Sequence, residues 1–145
     1  MRRLLTYTTA LLVALASTVA IAQKVTSAGE LEATMKKISA ANAGVGKAIK
    51  SEAYADAKTN VATVKAALMD AENFWVMNKK DEAVKLSKDA IAKVTALETV
   101  LSAATVDQQA VFAAQKEVGG TCTACHKQFR VQNEDKTYSI APGVL

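Results

Sequence analysis

Between residues 28 and 130, apolar side chains recur at alternating intervals of three and four in four separate runs. The chain's single proline, Pro142, lies beyond all of them. A period near 3.6 with no proline to interrupt it points to amphipathic α-helices. Each such helix has one apolar stripe to bury, and four of them joined by short links bury their stripes most economically side by side. The predicted fold is all-α, an antiparallel up-down-up-down four-helix bundle.

The stripes set the helix limits. Ser27-Ala28-Gly29-Glu30 has the form of a capping box, so the first helix starts near residue 28. Its stripe of Leu31, Met35, Ile38, Val45 and Ile49, broken only by Asn42, runs to about Lys50. Tyr54, Ala57, Val61, Val64, Leu68, Ala71 and Trp75 mark a second helix ending around Asn78. Asp81 is placed to cap a third, which buries Ala83, Leu86, Ala90, Val94, Leu97 and Leu101. Thr105-Val106-Asp107-Gln108 reads as another capping box, and the fourth helix presents Val111, Ala114, Val118, Cys122, Cys125 and Phe129 on one face. Gly119 and Gly120 weaken this helix. They either admit a close neighbour to the backbone or mark a break after which Thr121 caps a new short helix. Past Arg130 the pattern fades, and residues 137–145 read as an extended tail.

The first 22 residues do not belong to this pattern. Arg2 and Arg3 precede an apolar run, and Ala20-Ile21-Ala22 supplies the small-x-small site of a secretory signal peptide, with cleavage after Ala22. An uncleaved anchor is the rival, since residues 4–22 approach the roughly 20 needed to span a bilayer. Thr6, Thr8, Thr9, Ser17 and Thr18 count against it. The expected product is an exported, periplasmic or similar, single domain of residues 23–145 with no stable membrane span. Its 18 basic side chains fall to 16 without Arg2 and Arg3, against 14 acidic ones, a formal +2. That balance and the dispersed lysines argue against a nucleic-acid partner.

Two cysteines in an exported chain ordinarily suggest a disulfide. Here they stand in Cys122-Thr123-Ala124-Cys125-His126, which holds both cysteines and the one histidine of the chain. C-x-x-C-H is the attachment motif for c-type haem: the thiols add across the two vinyl groups as thioethers, and the imidazole binds the iron. On a helix, positions i, i+3 and i+4 share one face, so all three groups point the same way. A random shuffle of this composition yields the motif about once in ten thousand tries, so coincidence is a weak rival. A thioredoxin-like dithiol belongs on a βαβ scaffold, and a structural zinc needs four ligands where only these Cys and His residues are available. A plain Cys122–Cys125 disulfide on a haem-free helical module stays open.

A four-helix pattern with this motif on the last helix resembles the class II c-type cytochromes, the cytochrome c′ family. Cys122-Thr123-Ala124-Cys125-His126-Lys127-Gln128-Phe129-Arg130 is similar to that family's C-x-x-C-H-x-x-aromatic-Arg segment. The resemblance implies one covalent haem c near the C-terminal end of helix four, His126 as proximal ligand, and Arg130 beside it. It also leaves open a homodimer through the first two helices. Leu31 departs from the pattern, standing where the family often has an arginine that contacts a haem propionate, so the partner of that carboxylate is not identified.

The sixth iron position decides the function. In an antiparallel bundle Met35, about seven residues into helix one, and His126, about six before the end of helix four, both lie roughly 10 Å from the same end at 1.5 Å per residue. Met35 is on its helix's apolar stripe, whereas Met69 and Met77 lie beside theirs. Met35-Lys36-Lys37-Ile38 also resembles the segment that supplies the family's distal position. Members with methionine there are low-spin electron carriers, and members with a non-coordinating residue are high-spin and bind nitric oxide or carbon monoxide. The expected protein is a one-electron carrier rather than an enzyme, with His126 and Met35 as axial ligands and redox proteins as partners. Its alternative is a five-coordinate binder of small gases. Phe74, Trp75 and Phe129 read as core packing.

Overall fold

The computed structural model describes residues 24–145. The expected signal peptide at residues 1–22 and its cleavage site lie outside them. Four helices, α1 (Ala28–Lys50), α2 (Tyr54–Met77), α3 (Asp81–Leu101) and α4 (Gln108–Phe129), form the body of the molecule. Each packs antiparallel against its neighbour in sequence, and α1 also touches α4, much more sparsely. The predicted four-helix bundle is the fold. Among the described residues no helix is long and apolar enough to cross a membrane.

The short links make neighbours in sequence antiparallel, and two of them close in the same way. After α1 the Ala53 N–H donates to Ala48 O at 2.9 Å and the Glu52 N–H to Ile49 O at 3.1 Å. After α2 the Lys80 N–H donates to Trp75 O at 3.0 Å and the Lys79 N–H to Val76 O at 3.1 Å. Both are Schellman closures, which need a left-handed residue just past the helix, and Glu52 (φ 56°) and Lys79 (φ 55°) fill that place without being glycine.

The capping box at Ser27 is as expected: the Glu30 N–H donates to its hydroxyl, and Glu30 accepts from the Ser27 N–H. The Glu30 carboxylate also accepts from the Thr26 N–H and hydroxyl, and these bonds hold its pKa down at about 2. The other two caps need correction. Helix α3 begins at Asp81 itself, with Lys80 at the cap position and no side-chain bond. The Schellman turn already sets the chain's direction there, and Asp81 favours the helix only by its charge in the first turn. Helix α4 is capped by Asp107, not Thr105, because Asp107 Oδ1 accepts from the N–H groups of both Gln109 (2.8 Å) and Ala110 (3.3 Å).

Two further expectations change. Helix α4 runs unbroken through Gly119 and Gly120, and the Thr121 hydroxyl donates to Val118 O instead of capping a new helix. A Cβ at either glycine would meet nothing within 4 Å. The tail is not simply extended. Strands β1 (Arg130–Gln132) and β2 (Tyr138–Ile140) pair antiparallel with Arg130 opposite Ile140, and the polar run 133–136 makes their turn. Ile140 and Val144 then pack back onto the end of the bundle.

The core is divided. A larger cluster built around Ile49, Val61, Val64, Leu97, Leu101 and Val111 fills one end and the middle. A smaller one of Val25, Leu31, Ala71, Phe74, Trp75 and Ala83 fills the end where α1 begins and α4 finishes. Met35 packs against both.

Candidate functional site

The division in the core has a cause on α4. This helix buries only Val111, Val118 and Thr121, while the other three helices each bury six or more side chains. From Cys122 onward its inner face carries Cys122, Cys125 and His126, all half-buried. Opposite them α2 and α3 present Ala71, Ser87 and Ala90, side chains too small to reach across. The result is a hollow of about 160 Å³.

All four helices line this hollow, and it brings together residues far apart in sequence. Helix α1 contributes Met35, Ile38, Ser39 and Asn42, and α4 contributes Thr121, Cys122, Cys125 and His126. Met35 and the three motif residues therefore share one cavity, as their expected heights in the bundle required. Helices α1 and α4 touch much more sparsely than the helices adjacent in sequence, so their seam offers a path by which a flat apolar group could enter. By itself the hollow is smaller than the roughly 300–1,000 Å³ of ligand pockets, and accommodation of a macrocycle draws on that loosely packed seam.

Local chemistry suits a haem. Burial holds the His126 imidazole below its usual pKa, and the charge of Arg130 adds to the effect. The ring is accordingly neutral at neutral pH, the form that binds iron. Burial pushes the Cys122 and Cys125 thiols up, with mutual repulsion adding to it at Cys125. Neither sulfur is bonded to the other.

The polar wall of the hollow carries one further sign. The buried Ser87 hydroxyl donates to Ala83 O at 2.8 Å and the buried Thr121 hydroxyl to Val118 O at 2.8 Å, so both are satisfied within their own helices. Trp75, which lines the same hollow, is not. Its indole Nε1 is the one buried side-chain polar atom without a hydrogen-bond partner among the described residues. Such an orphan costs about 1–3 kcal/mol.

Arg130 lies on another side of His126. It is exposed, carried by β1, with its guanidinium carbon 4.0 Å above the Tyr138 ring. Together with Thr123, His126, Lys127, Gln132 and Tyr138 it borders an open depression of about 220 Å³ at the surface, and it does not line the hollow that holds Met35. His126 borders both.

Sequence patterns alone missed several lining residues. Asn42 gave a signal, as the one break in the α1 stripe. Ser87 and Ala90 gave none, because small residues on an apolar stripe look the same whether they allow close packing or leave a space. Trp75 was expected as core and is core, edge-on to Phe74 at 5.0 Å and tilted against Phe129 at 5.5 Å.

Residues 71–130 match the sequence model of the family described as Cytochrome C′. That span takes in the end of α2, all of α3 and α4 with the C-x-x-C-H motif, and Arg130; Met35 lies outside it. No curated protein and no solved structure matches the chain.

Proposed function

We propose that this chain is an exported monohaem cytochrome of the cytochrome c′ family that carries single electrons. The observation that carries the proposal is the shared cavity: Met35, Cys122, Cys125 and His126 line one hollow between two apolar clusters. The family match over residues 71–130, which carry the motif, supports it independently.

In this reading Cys122 and Cys125 would hold one haem c as thioethers, and the neutral imidazole of His126 and the sulfur of Met35 would ligate its iron. The bound haem supplies a ferric/ferrous couple. The chain's own residues do the rest. Ile38, Leu68, Leu86 and Trp75 wall the cavity against water, and lowering the local dielectric disfavours the more highly charged oxidation state. The residues at 1–22 direct the chain out of the cytoplasm, to the periplasm or an equivalent compartment where covalent attachment takes place. Its partners are redox proteins.

The optical spectrum of the purified ferrous protein tests the axial assignment. A sharp low-spin α band that carbon monoxide leaves unchanged is expected. A high-spin spectrum that shifts on adding carbon monoxide would show an open distal position and replace the carrier with a gas-binding protein.

A further inference from the structure

We infer that the indole N–H of Trp75 is the hydrogen-bond donor to a carboxylate of the bound haem. The inference rests on the haem-binding reading above and adds a residue to it.

Three observations converge on Trp75. It is 3% exposed, and its Nε1 is buried without a partner among the described residues. It lines the hollow shared by Met35, Cys122, Cys125 and His126. It also belongs to the same apolar cluster as Leu31, at the end of the bundle where α1 begins and α2 finishes. Leu31 is an aliphatic residue and offers no donor.

Tryptophan can only donate, so whatever satisfies it must bring an acceptor. The wall carries oxygen atoms on Ser39, Asn42, Ser87 and Thr121, but none of them accepts from the Trp75 Nε1, which has no hydrogen-bond partner among the described residues. A c-type haem carries two carboxylates. An N–H donated to an ionised carboxylate is a charge-assisted bond, stronger than one between neutral groups. A single buried donor at the cavity wall thus provides a polar anchor without adding a buried charge. It would fix the ring's orientation within a cavity otherwise lined mostly by apolar groups. Trp75 is a positioning residue in this account, not an iron ligand.

Trp75 is the only tryptophan in the chain, so its vibrational spectrum is unambiguous. Ultraviolet resonance Raman of the haem-loaded protein is expected to show the N–H-sensitive indole band at its hydrogen-bonded position. In the haem-free Cys122→Ser/Cys125→Ser chain the band should return to the position of a free indole. Trp75→Phe keeps an aromatic ring and removes the donor, and in that variant the haem carboxylate deformation band, excited in the visible, should move to lower frequency. A free-indole band in the loaded protein overturns the inference, as does a carboxylate band that Trp75→Phe leaves in place. If Trp75→Phe does not accumulate, the indole band of the loaded wild-type protein decides alone. Absence of covalent haem from the wild-type protein defeats the haem-binding reading and this inference together, whereas haem present with an unbonded indole defeats only this one.

Discussion

Replacing Ala90 by leucine sends a branched side chain from α3 into the hollow opposite Cys122 and Cys125. Ala90 is 5% exposed and lines that space. The three added carbons need room that a close-packed core would not have, and here about 160 Å³ is available. At about 0.8 kcal/mol per buried CH₂ the gain is roughly 2 kcal/mol. Ordering the leucine side chain removes about 0.5–1 kcal/mol of it. In the haem-free Cys122→Ser/Cys125→Ser background, Ala90→Leu should therefore raise unfolding free energy by about 1–2 kcal/mol, read from urea titration by circular dichroism. In the wild-type background the same change should cut covalent haem per chain, read from the pyridine haemochrome, because the side chain occupies the cofactor's space. A well-packed core predicts the reverse, a loss of about 1–3 kcal/mol from overpacking. That loss, with haem content unaffected, would refute the claim that the division of the core is a cofactor site.

The remaining predictions concern the ligand and the scaffold. Met35→Leu keeps the apolar volume and removes the sulfur, and should convert the ferrous spectrum to a high-spin form that responds to carbon monoxide; an unchanged spectrum would remove Met35 from the iron. Lys79→Gly and Glu52→Gly relieve left-handed conformations at two Schellman turns (φ 55° and 56°), and each should raise the urea midpoint by a stability gain of roughly 0.5–1 kcal/mol. Glu30 titrates near 2 in the folded chain, below its ordinary 4.5, because Thr26 and Ser27 donate to its charged form. The capping contribution should thus be complete above pH 4.5 and be lost as pH falls toward 2, and Glu30→Gln should abolish that part of the acid sensitivity in a pH series of thermal melts. Gly120→Ala, on an exposed turn of α4 with open space at the Cβ position, should stabilise by about 1 kcal/mol.

The four helices were legible because each stripe persists over five or more turns, long enough for the 3.6 period to dominate single exceptions such as Asn42. Their ends were legible only where a side chain makes the cap. Ser27 and Glu30 announce α1, but α3 begins through a backbone closure at Lys79 that the residue type does not advertise. At α4 two oxygen-bearing candidates stood two residues apart, and the carboxylate of Asp107 satisfies two N–H groups at once. The hairpin after Arg130 was missed because its strands are three residues long and its turn, at residues 133–136, carries no glycine. The Asn133 N–H donates to Thr137 O and the Lys136 N–H to Asn133 O, and Lys136 takes the left-handed conformation (φ 64°).

Of the site, Cys122, Cys125, His126 and Met35 were read from spacing and helix height, and the structure brings all four to one cavity. The cavity itself was not readable, since it arises from what Ala71, Ser87 and Ala90 fail to fill. Nor was the unsatisfied nitrogen of Trp75, because a tryptophan on a stripe gives no sign of where its N–H will go. Arg130 lies beside His126 as expected, but stacked on Tyr138 of a hairpin that was not foreseen.

Covalent attachment is the premise on which the ligand assignments, the cavity account and the role of Trp75 all depend. The intact mass of the exported protein, purified from cells competent for cytochrome maturation, tests it most directly. The account predicts residues 23–145 plus the mass of one haem, with the addition mapping by proteolysis to the peptide holding Cys122 and Cys125. A chain of unmodified mass, or one lighter by two hydrogens with a Cys122–Cys125 disulfide, would contradict it.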